Sequence, residues 1–168
     1  MPIPGPWIDI APFDWAGLLS ALLCGGIIGL ERQVSGKPVG IRTSALICLG
    51  AYVFVVLANA VADAGTDNSR IIGQLVTGVG FLGAGVMMAR DGAVIGVTSA
   101  AAIWVLAAIG VSIGSGYYLS GIKLALLTVA ILVGVNLLEG TFKLLQRGVH
   151  QKYGGVLHRR RSEDRHDS

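Results

Sequence analysis

The chain has 168 residues and a formal net charge of +3, and 53% of its residues are hydrophobic while only 14% are charged. Soluble proteins carry about 25% charged residues, so this composition excludes an ordinary soluble domain and indicates an integral membrane protein built as one domain. Most of the positive charge lies in loops and in the C-terminal tail, as is typical of a membrane protein, and it does not indicate nucleic-acid binding.

Five apolar segments follow one another along the chain, and most approach the ~20 residues that a helix needs to cross a bilayer. They are residues 15–30, 41–62, 71–89, 93–116 and 117 to about 138. The sequence therefore predicts an all-α, polytopic membrane protein with five transmembrane helices. In this prediction residues 1–14 form an extracytoplasmic arm, residues 15–142 form the membrane domain, and residues 143–168 form a basic cytoplasmic tail that is expected to be disordered.

The basic residues between the segments predict how the helices cross the membrane. Eleven of the thirteen Lys and Arg residues fall on one side if the N-terminus is outside and the C-terminus is inside. The exceptions are Arg70, between the second and third segments, and Lys123, within the fifth. We therefore expect a multi-pass protein whose N-terminus is outside and whose tail is in the cytoplasm.

The third segment is rich in glycine, and Gly78, Gly80, Gly83 and Gly85 are among its residues. Glycine weakens a helix in water but lets helices approach closely in lipid, where packing drives association. We therefore expect this segment to be the central and most tightly packed helix of the bundle. Residues 78–83 also fit the G-x-G-x-x-G nucleotide fingerprint, but the preceding strand and the later acidic residue that this fingerprint requires are missing. No nucleotide or other cofactor is expected.

Polar residues concentrate in two layers near the predicted ends of the helices. The inner polar cluster consists of Glu31, Arg32, Arg42, Thr43, Arg90, Asp91, Thr98, Ser99 and Glu139. The outer polar cluster consists of Asn59, Arg70, Gln74 and Lys123. Both signs of charge occur in the inner polar cluster, so its groups can pair where desolvation is otherwise expensive.

Two interpretations of the inner polar cluster remain open: a structural belt of ion pairs that sets the register of the helices, and a binding surface or small cavity open to the cytoplasm. In the outer polar cluster, Arg70 and Gln74 are four residues apart and share a helix face. Lys123 either snorkels outward past Tyr117 and Tyr118 or meets a buried partner or an anion. The sequence shows no nucleophile–base pair and no metal-ligand spacing, so we expect neither an enzyme nor a metal site.

Five blocks of sequence together resemble the MgtC/SapB family of bacterial inner-membrane proteins. They are residues 29–32 (GLER), 40–43 (GIRT), 70–71 (RI) with Gln74, 78–85 (GVGFLGAG) and 96–104 (GVTSAAAIW). The blocks span about residues 17–140 in the order of the family, which makes the resemblance specific although any single block is weak. The resemblance places the family's polar positions at Glu31, Arg32, Arg42, Thr43, Arg70, Gln74, Thr98 and Trp104.

The resemblance implies a five-helix membrane domain with its N-terminus outside, in agreement with the charge distribution. It also implies a link to growth in low magnesium and to survival of pathogens in host cells, through restraint of the membrane ATP synthase rather than through magnesium transport. Many members carry a soluble cytoplasmic domain after the last helix, whereas this chain stops about 28 residues beyond it. We therefore expect a short form that lacks this domain.

Three hypotheses about function follow. The first is a non-enzymatic regulator that contacts another integral membrane protein, with the ATP synthase as the candidate. Its helix-packing and interaction residues are Gly78, Gly80, Gly83, Gly85, Gly96 and Trp104. The second is a transporter or ion pathway that depends on Glu31, Arg42 and Asp91, although the lack of acidic residues in mid-span argues against it. The third is a structural module that contacts lipid and self-associates as a homodimer.

Overall fold

The computed structural model describes residues 9–62, 67–90 and 93–141, which form five helices and one pair of short strands. In chain order the elements are α1 (Trp15–Val34), α2 (Ile41–Val61), α3 (Asn68–Val86), β1 (Met88–Arg90), β2 (Ala93–Ile95), α4 (Val97–Gly114) and α5 (Tyr118–Thr141). The predicted helical fold with five helices is thereby confirmed. The predictions for residues 1–8 of the arm, for Asp91 and for the tail from residue 142 onward lie outside the described residues.

Four of the five helices are long and apolar enough to cross a membrane. These are α1, α2, α4 and, within α5, the segment Tyr118–Leu138. The apolar part of α3, Arg70–Val86, is shorter than 18 residues. The direction in which the helices cross the membrane stays a prediction that rests on the distribution of basic residues.

The core lies where α1, α2 and α4 pack against one another. Its largest fully buried side chains are Tyr52, Ile28, Ile103, Leu106, Ile109 and Ile113. Glycines bring the helices together at these contacts, because a Cβ atom on Gly25 of α1 would lie only 2.6 Å from Ala45 Cα of α2. Likewise, a Cβ atom on Gly114 of α4 would lie 2.8 Å from Val55 Cβ of α2. Such close approach gives helices in lipid the packing contacts that hold them together.

Helix α3 is not the central, tightly packed helix that its glycines predict. It packs mainly on α4, and among its described residues only Val79 and Gly83 are buried. A Cβ atom placed on Gly78, Gly80 or Gly85 would meet no atom within 4 Å. The prediction was wrong because glycine permits close packing without requiring it, and the neighbouring helix decides whether the space is used.

Between α3 and α4 the chain forms a two-stranded antiparallel ribbon, which the sequence analysis did not predict. Strand β1 pairs with β2 so that Met88 lies opposite Ile95 and Arg90 lies opposite Ala93. The ribbon is a short exception to the all-α architecture, and its exposed side chains include Met88 and Ile95.

The ribbon also corrects two predicted helix boundaries. The third helix ends at Val86, three residues earlier than predicted, and the fourth begins at Val97, four residues later than predicted. Gly96 explains the second boundary, because its φ of 89° is left-handed and therefore not helical. A Cβ atom on Gly96 would lie 2.5 Å from the carbonyl oxygen of Val86, so the turn also needs glycine for space.

The contacts divide the chain after Val129 into two units. In the first unit, the N-terminal part of α5 packs on α4, where a Cβ atom on Gly121 would lie 2.6 Å from Ile113 Cγ1. In the second unit, the described part is the rest of α5 from Ala130 onward, and its described side chains are exposed or half-buried.

Candidate functional site

A buried arginine links α1 to α4. Arg32 lies in the last turn of α1, where a positive charge complements the carbonyl end of the helix dipole. The residue is only 2% exposed, and its Nη2 atom donates a hydrogen bond of 2.6 Å to Oγ of Ser99 near the start of α4. Because both partners are buried and the donor is charged, this bond is a strong connection between helices that are 67 residues apart in the sequence.

Glu31 lies beside this connection with its hydrogen bonding incomplete. Its Oε1 atom accepts a hydrogen bond of 2.8 Å from Ser35 Oγ, while its Oε2 atom lies 4.0 Å from Arg32 Nη1, beyond hydrogen-bond distance. Both Glu31 Oε2 and Arg32 Nε are buried without a hydrogen-bond partner. This ion pair therefore retains one open acceptor and one open donor, which can bind a small polar group such as water.

The loop between α1 and α2 contains a strained residue close in sequence to this ion pair. Val39 is buried with φ of 67°, a left-handed conformation that a β-branched residue rarely adopts. Its carbonyl oxygen accepts a hydrogen bond of 2.9 Å from Ser44 Oγ of α2. Strain of this kind persists where the surrounding structure enforces it, and it concentrates at functional sites.

The structure separates the predicted inner polar cluster into parts. Three of its members form the buried connection between α1 and α4 described above. Arg42 and Thr43 are exposed and line a cavity, and Thr98 is exposed in the first turn of α4. Asp91 and the side chains of Arg90 and Glu139 lie outside the described residues. The structure brings Glu31, Arg32 and Ser99 together, and the choice between a structural belt and a binding surface stays a prediction.

A cavity of about 610 Å³ lies between α2 and α3, and we call it the α2–α3 cavity. Its lining residues are Arg42, Thr43, Leu46, Ile47, Gly50, Ala51, Phe54, Ile71, Gln74, Leu75, Gly78, Val79 and Leu82. Gln74 belongs to the predicted outer polar cluster and Arg42 to the inner one, so the cavity joins members of two clusters that the sequence places apart. The other outer residues, Asn59, Arg70 and Lys123, are exposed.

A second polar network, which the sequence analysis missed, ties α1, α2 and α5 together. Asp14 caps α1, because its Oδ1 atom accepts a hydrogen bond of 2.6 Å from the Gly17 N–H. Its Oδ2 atom accepts hydrogen bonds from the hydroxyls of Tyr118 at 2.9 Å and Tyr52 at 3.2 Å. The detectable signal was an aspartate directly before an apolar segment, which is a typical N-cap position. No local feature of the sequence indicates that Tyr52 and Tyr118 both lie next to Asp14.

These hydrogen bonds predict how stability depends on pH. Desolvation acts to raise the pKa of Asp14, but hydrogen bonds donated by the Gly17 N–H, Tyr118 and Tyr52 outweigh it and hold the pKa below its usual range. A lowered pKa stabilises the fold above the unfolded value of about 3.9, and this contribution is lost as the pH falls through the folded pKa.

We therefore expect Asp14→Asn to melt at a lower temperature than the wild type at pH 6, with the difference shrinking as the pH approaches 3. Thermal unfolding of the detergent-solubilised protein measures this, and Tyr118→Phe should lie between the two because it removes one donor. Parallel pH profiles of wild type and Asp14→Asn would show that Asp14 has no such role.

Two of the six predicted packing residues make close contacts within the protein. Gly83 packs α3 on α4, since a Cβ atom there would lie 3.7 Å from Ala100 Cβ and 3.8 Å from Trp104 Cδ1. Gly96 forms the turn before α4, as described above. Trp104 is 47% exposed and Gly85 faces open space, so these two are available to a partner.

The described side chains offer limited chemistry. Among residues 9–62, 67–90 and 93–141, no three His, Cys, Asp or Glu side chains come together in a way that could hold a metal ion. What the described structure does present is one buried ion pair with open hydrogen-bonding capacity, one largely apolar cavity and an exposed apolar surface on α3 and α4.

Comparison with known proteins identifies relatives over most of the chain. The sequence model described as "MgtC family" matches residues 18–141. The chain is 42% identical over 140 residues to the Escherichia coli K12 protein named "Putative magnesium transporter YhiD", an alignment that covers 79% of the chain and 64% of YhiD. It is 36% identical over 142 residues to the protein MgtC of Brucella abortus, covering 81% of the chain and 58% of that protein.

A third relative is also similar over most of the chain. The protein MgtC of Salmonella typhimurium is 40% identical over 121 residues, which cover 72% of the chain and 50% of that protein. The chain thus matches between half and two thirds of the length of these relatives. No solved structure matches the chain.

Proposed function

The chain belongs to the MgtC family of membrane proteins, and from this premise we propose that it is a non-enzymatic regulator in the bacterial inner membrane. In this proposal it binds another integral membrane protein, with the ATP synthase as the first candidate, and thereby adjusts ion balance when magnesium is scarce or when the bacterium lives in host cells. Its membership of a magnesium-related family of multi-pass membrane proteins supports the proposal.

The observation that carries this proposal is the packing of apolar side chains in the core of the helix bundle. Between α1, α2 and α4 the buried side chains are large and apolar, as at Ile28, Ile103 and Leu106. The α2–α3 cavity lies to one side of this core and is lined by α2 and α3 alone. Ion pathways through membrane proteins are marked by polar and ionisable residues. A core filled with apolar side chains therefore favours a protein that acts by contact over one that conducts ions.

The contact surface in this proposal is the exposed part of α3 and α4, which we call the α3–α4 surface and define by Phe81, Gly85 and Trp104. Phe81 is 81% exposed, and large aromatic residues are the usual anchors of protein–protein contacts. Gly85 lets a partner helix approach closely. Gly83, by contrast, is occupied by the contact between α3 and α4 and belongs to the interior of the protein.

The proposal is tested in inverted bacterial membrane vesicles with and without the protein. We expect proton pumping driven by ATP to fall when the protein is present, while pumping driven by respiration stays unchanged, because only the ATP synthase is restrained. The quenching of an acridine dye reports both signals. No change in the ATP-driven signal would count against the ATP synthase as the partner.

Two matched variants locate the surface. Gly85→Leu on α3 and Gly26→Leu on α1 add the same side chain at positions where a Cβ atom meets nothing within 4 Å. Gly85→Leu should restore ATP-driven pumping to the level without the protein, whereas Gly26→Leu should act like the wild type. Equal behaviour of the two variants at equal expression would contradict a role for the α3–α4 surface.

Magnesium transport is a second candidate, favoured by the name that YhiD carries and by the open acceptor on Glu31. An ion pathway predicts a different outcome in the same vesicles: both pumping signals fall, because the membrane leaks. Glu31→Gln should then reverse the loss, since it removes the charge that a cation would meet. A fall in the ATP-driven signal alone excludes this candidate.

A further inference from the structure

The α2–α3 cavity is a partly open groove between two helices that follow each other in the chain. Small residues at Gly50, Ala51 and Gly78 leave room inside it, and the exposed side chains of Leu46, Phe54 and Leu82 stand at its lining. On α2 the lining runs from Arg42 to Phe54, a separation of twelve positions that corresponds to about 18 Å at 1.5 Å per residue. One leaflet of a bilayer contributes about 15 Å of hydrocarbon, so the groove extends over roughly one leaflet.

The lining of the groove indicates the kind of molecule that fits it. Apart from Arg42, Thr43 and Gln74 the lining residues are apolar, and the charged side chain lies at one end. An extended acyl chain with an anionic headgroup matches this distribution, because basic pockets between transmembrane helices bind lipid headgroups.

One end of the groove is positively charged. Arg42 is exposed there and makes no ion pair or side-chain hydrogen bond among the described residues, and the Thr43 hydroxyl lies next to it in the sequence. Both residues belong to the first turn of α2, which has no side-chain cap. A helix N-terminus and a guanidinium both attract a phosphate, and the guanidinium can bind it through two hydrogen bonds.

We propose that the α2–α3 cavity is a specific site for an anionic phospholipid of the leaflet on the Arg42 side. One acyl chain lies along the groove, and the phosphate is bound by Arg42 at its mouth. The third polar lining residue, Gln74, is not required for binding the acyl chain in this arrangement. The site is independent of the regulatory function proposed above and of the α3–α4 surface.

The proposal is tested by native mass spectrometry of the full-length protein in detergent, titrated with phosphatidylglycerol or with phosphatidylcholine. We expect one phosphatidylglycerol bound per chain, about tenfold more tightly than phosphatidylcholine, and Arg42→Gln should abolish this preference. Gly78→Leu and Gly50→Leu should remove binding of both lipids because they fill the groove. Gly73→Leu is the matched control, since a Cβ atom at Gly73 also meets nothing within 4 Å and Gly73 does not line the cavity.

Further variants distinguish a lipid from other occupants. Gln74→Leu should bind phosphatidylglycerol at least as well as the wild type, whereas a polar solute in the groove would lose affinity. A photo-cross-linking residue at position 54 in whole membranes should give adducts of lipid mass. The proposal is overturned if Gly78→Leu and Gly50→Leu both bind lipid like Gly73→Leu, if the wild type does not prefer phosphatidylglycerol, or if the cross-link joins a second polypeptide.

Discussion

Replacing Arg32 with alanine is expected to lower the free energy of unfolding by about 3–5 kcal/mol, because it removes one partner of a buried ion pair. The guanidinium is almost completely buried between α1 and α4 and donates to Ser99 at 2.6 Å. Its removal leaves the partly buried carboxylate of Glu31 without its cation and leaves a cavity at the end of the bundle. Lysine should not replace it, because an ammonium cannot reproduce the geometry of the guanidinium.

Chemical denaturation of the purified protein in detergent measures this loss. Ser99→Ala should cost about 1.5–3 kcal/mol, since it removes a hydrogen bond to a charged group. Lys37→Ala is the control, because Lys37 is exposed in the loop after α1, and its effect should stay within about 0.5 kcal/mol. A loss for Arg32→Ala no larger than that for Lys37→Ala would show that the buried connection does not hold the helices together.

The second large effect is expected for Gly110→Ala, which should destabilise the protein by about 3 kcal/mol through overpacking. An added Cβ atom on Gly110 of α4 would collide with the carbonyl oxygen of Cys48 and lie 2.6 Å from Ala51 Cβ and 3.1 Å from Tyr52 N, all in α2. Two of these atoms belong to the backbone, so they cannot move aside without shifting a whole helix. The central contact of the core would therefore open.

The matched control is Gly80→Ala on α3, where the same methyl group meets no atom within 4 Å. Because alanine favours a helix by up to about 1 kcal/mol over glycine, Gly80→Ala should be neutral or stabilising. Thermal unfolding monitored by size-exclusion chromatography in detergent compares the two. Equal melting temperatures would mean that α2 and α4 do not pack as closely as the structure places them.

This contrast between glycines shows where prediction from the sequence failed. The glycine-rich segment 71–89 predicts tight packing, yet Gly110 and Gly25, in segments with fewer glycines, are among the residues against which α2 packs. A glycine offers space on every side of a helix, and only the rotation of that helix toward a neighbour determines whether the space is filled. The same limit applies to the ribbon between α3 and α4, because the pairing of Met88 with Ile95 joins two separate stretches of chain and does not follow from the apolarity of either.

The polar residues show a second limit of prediction from the sequence. The sequence analysis assigns Glu31, Arg32 and Ser99 to one polar layer, and in the structure Arg32 lies beside Glu31 and donates a hydrogen bond to Ser99. It gives no sign that Arg32 is buried while Arg42, ten residues later, is exposed at a cavity. The network of Asp14 with Tyr52 and Tyr118 likewise joins residues that are up to 104 positions apart.

By itself, the sequence determined that this is a membrane protein with five helices, and it carried the motifs of the MgtC family. Both follow from local properties, since hydropathy is summed over about 20 consecutive residues and a motif is recognised from a few neighbouring residues. The tertiary structure alone decided that α1, α2 and α4 form the core, that Arg32 meets Ser99, and that a groove ending at Arg42 opens between α2 and α3. These features depend on how helices distant in the sequence rotate and cross, which packing of their side chains determines and no single segment encodes.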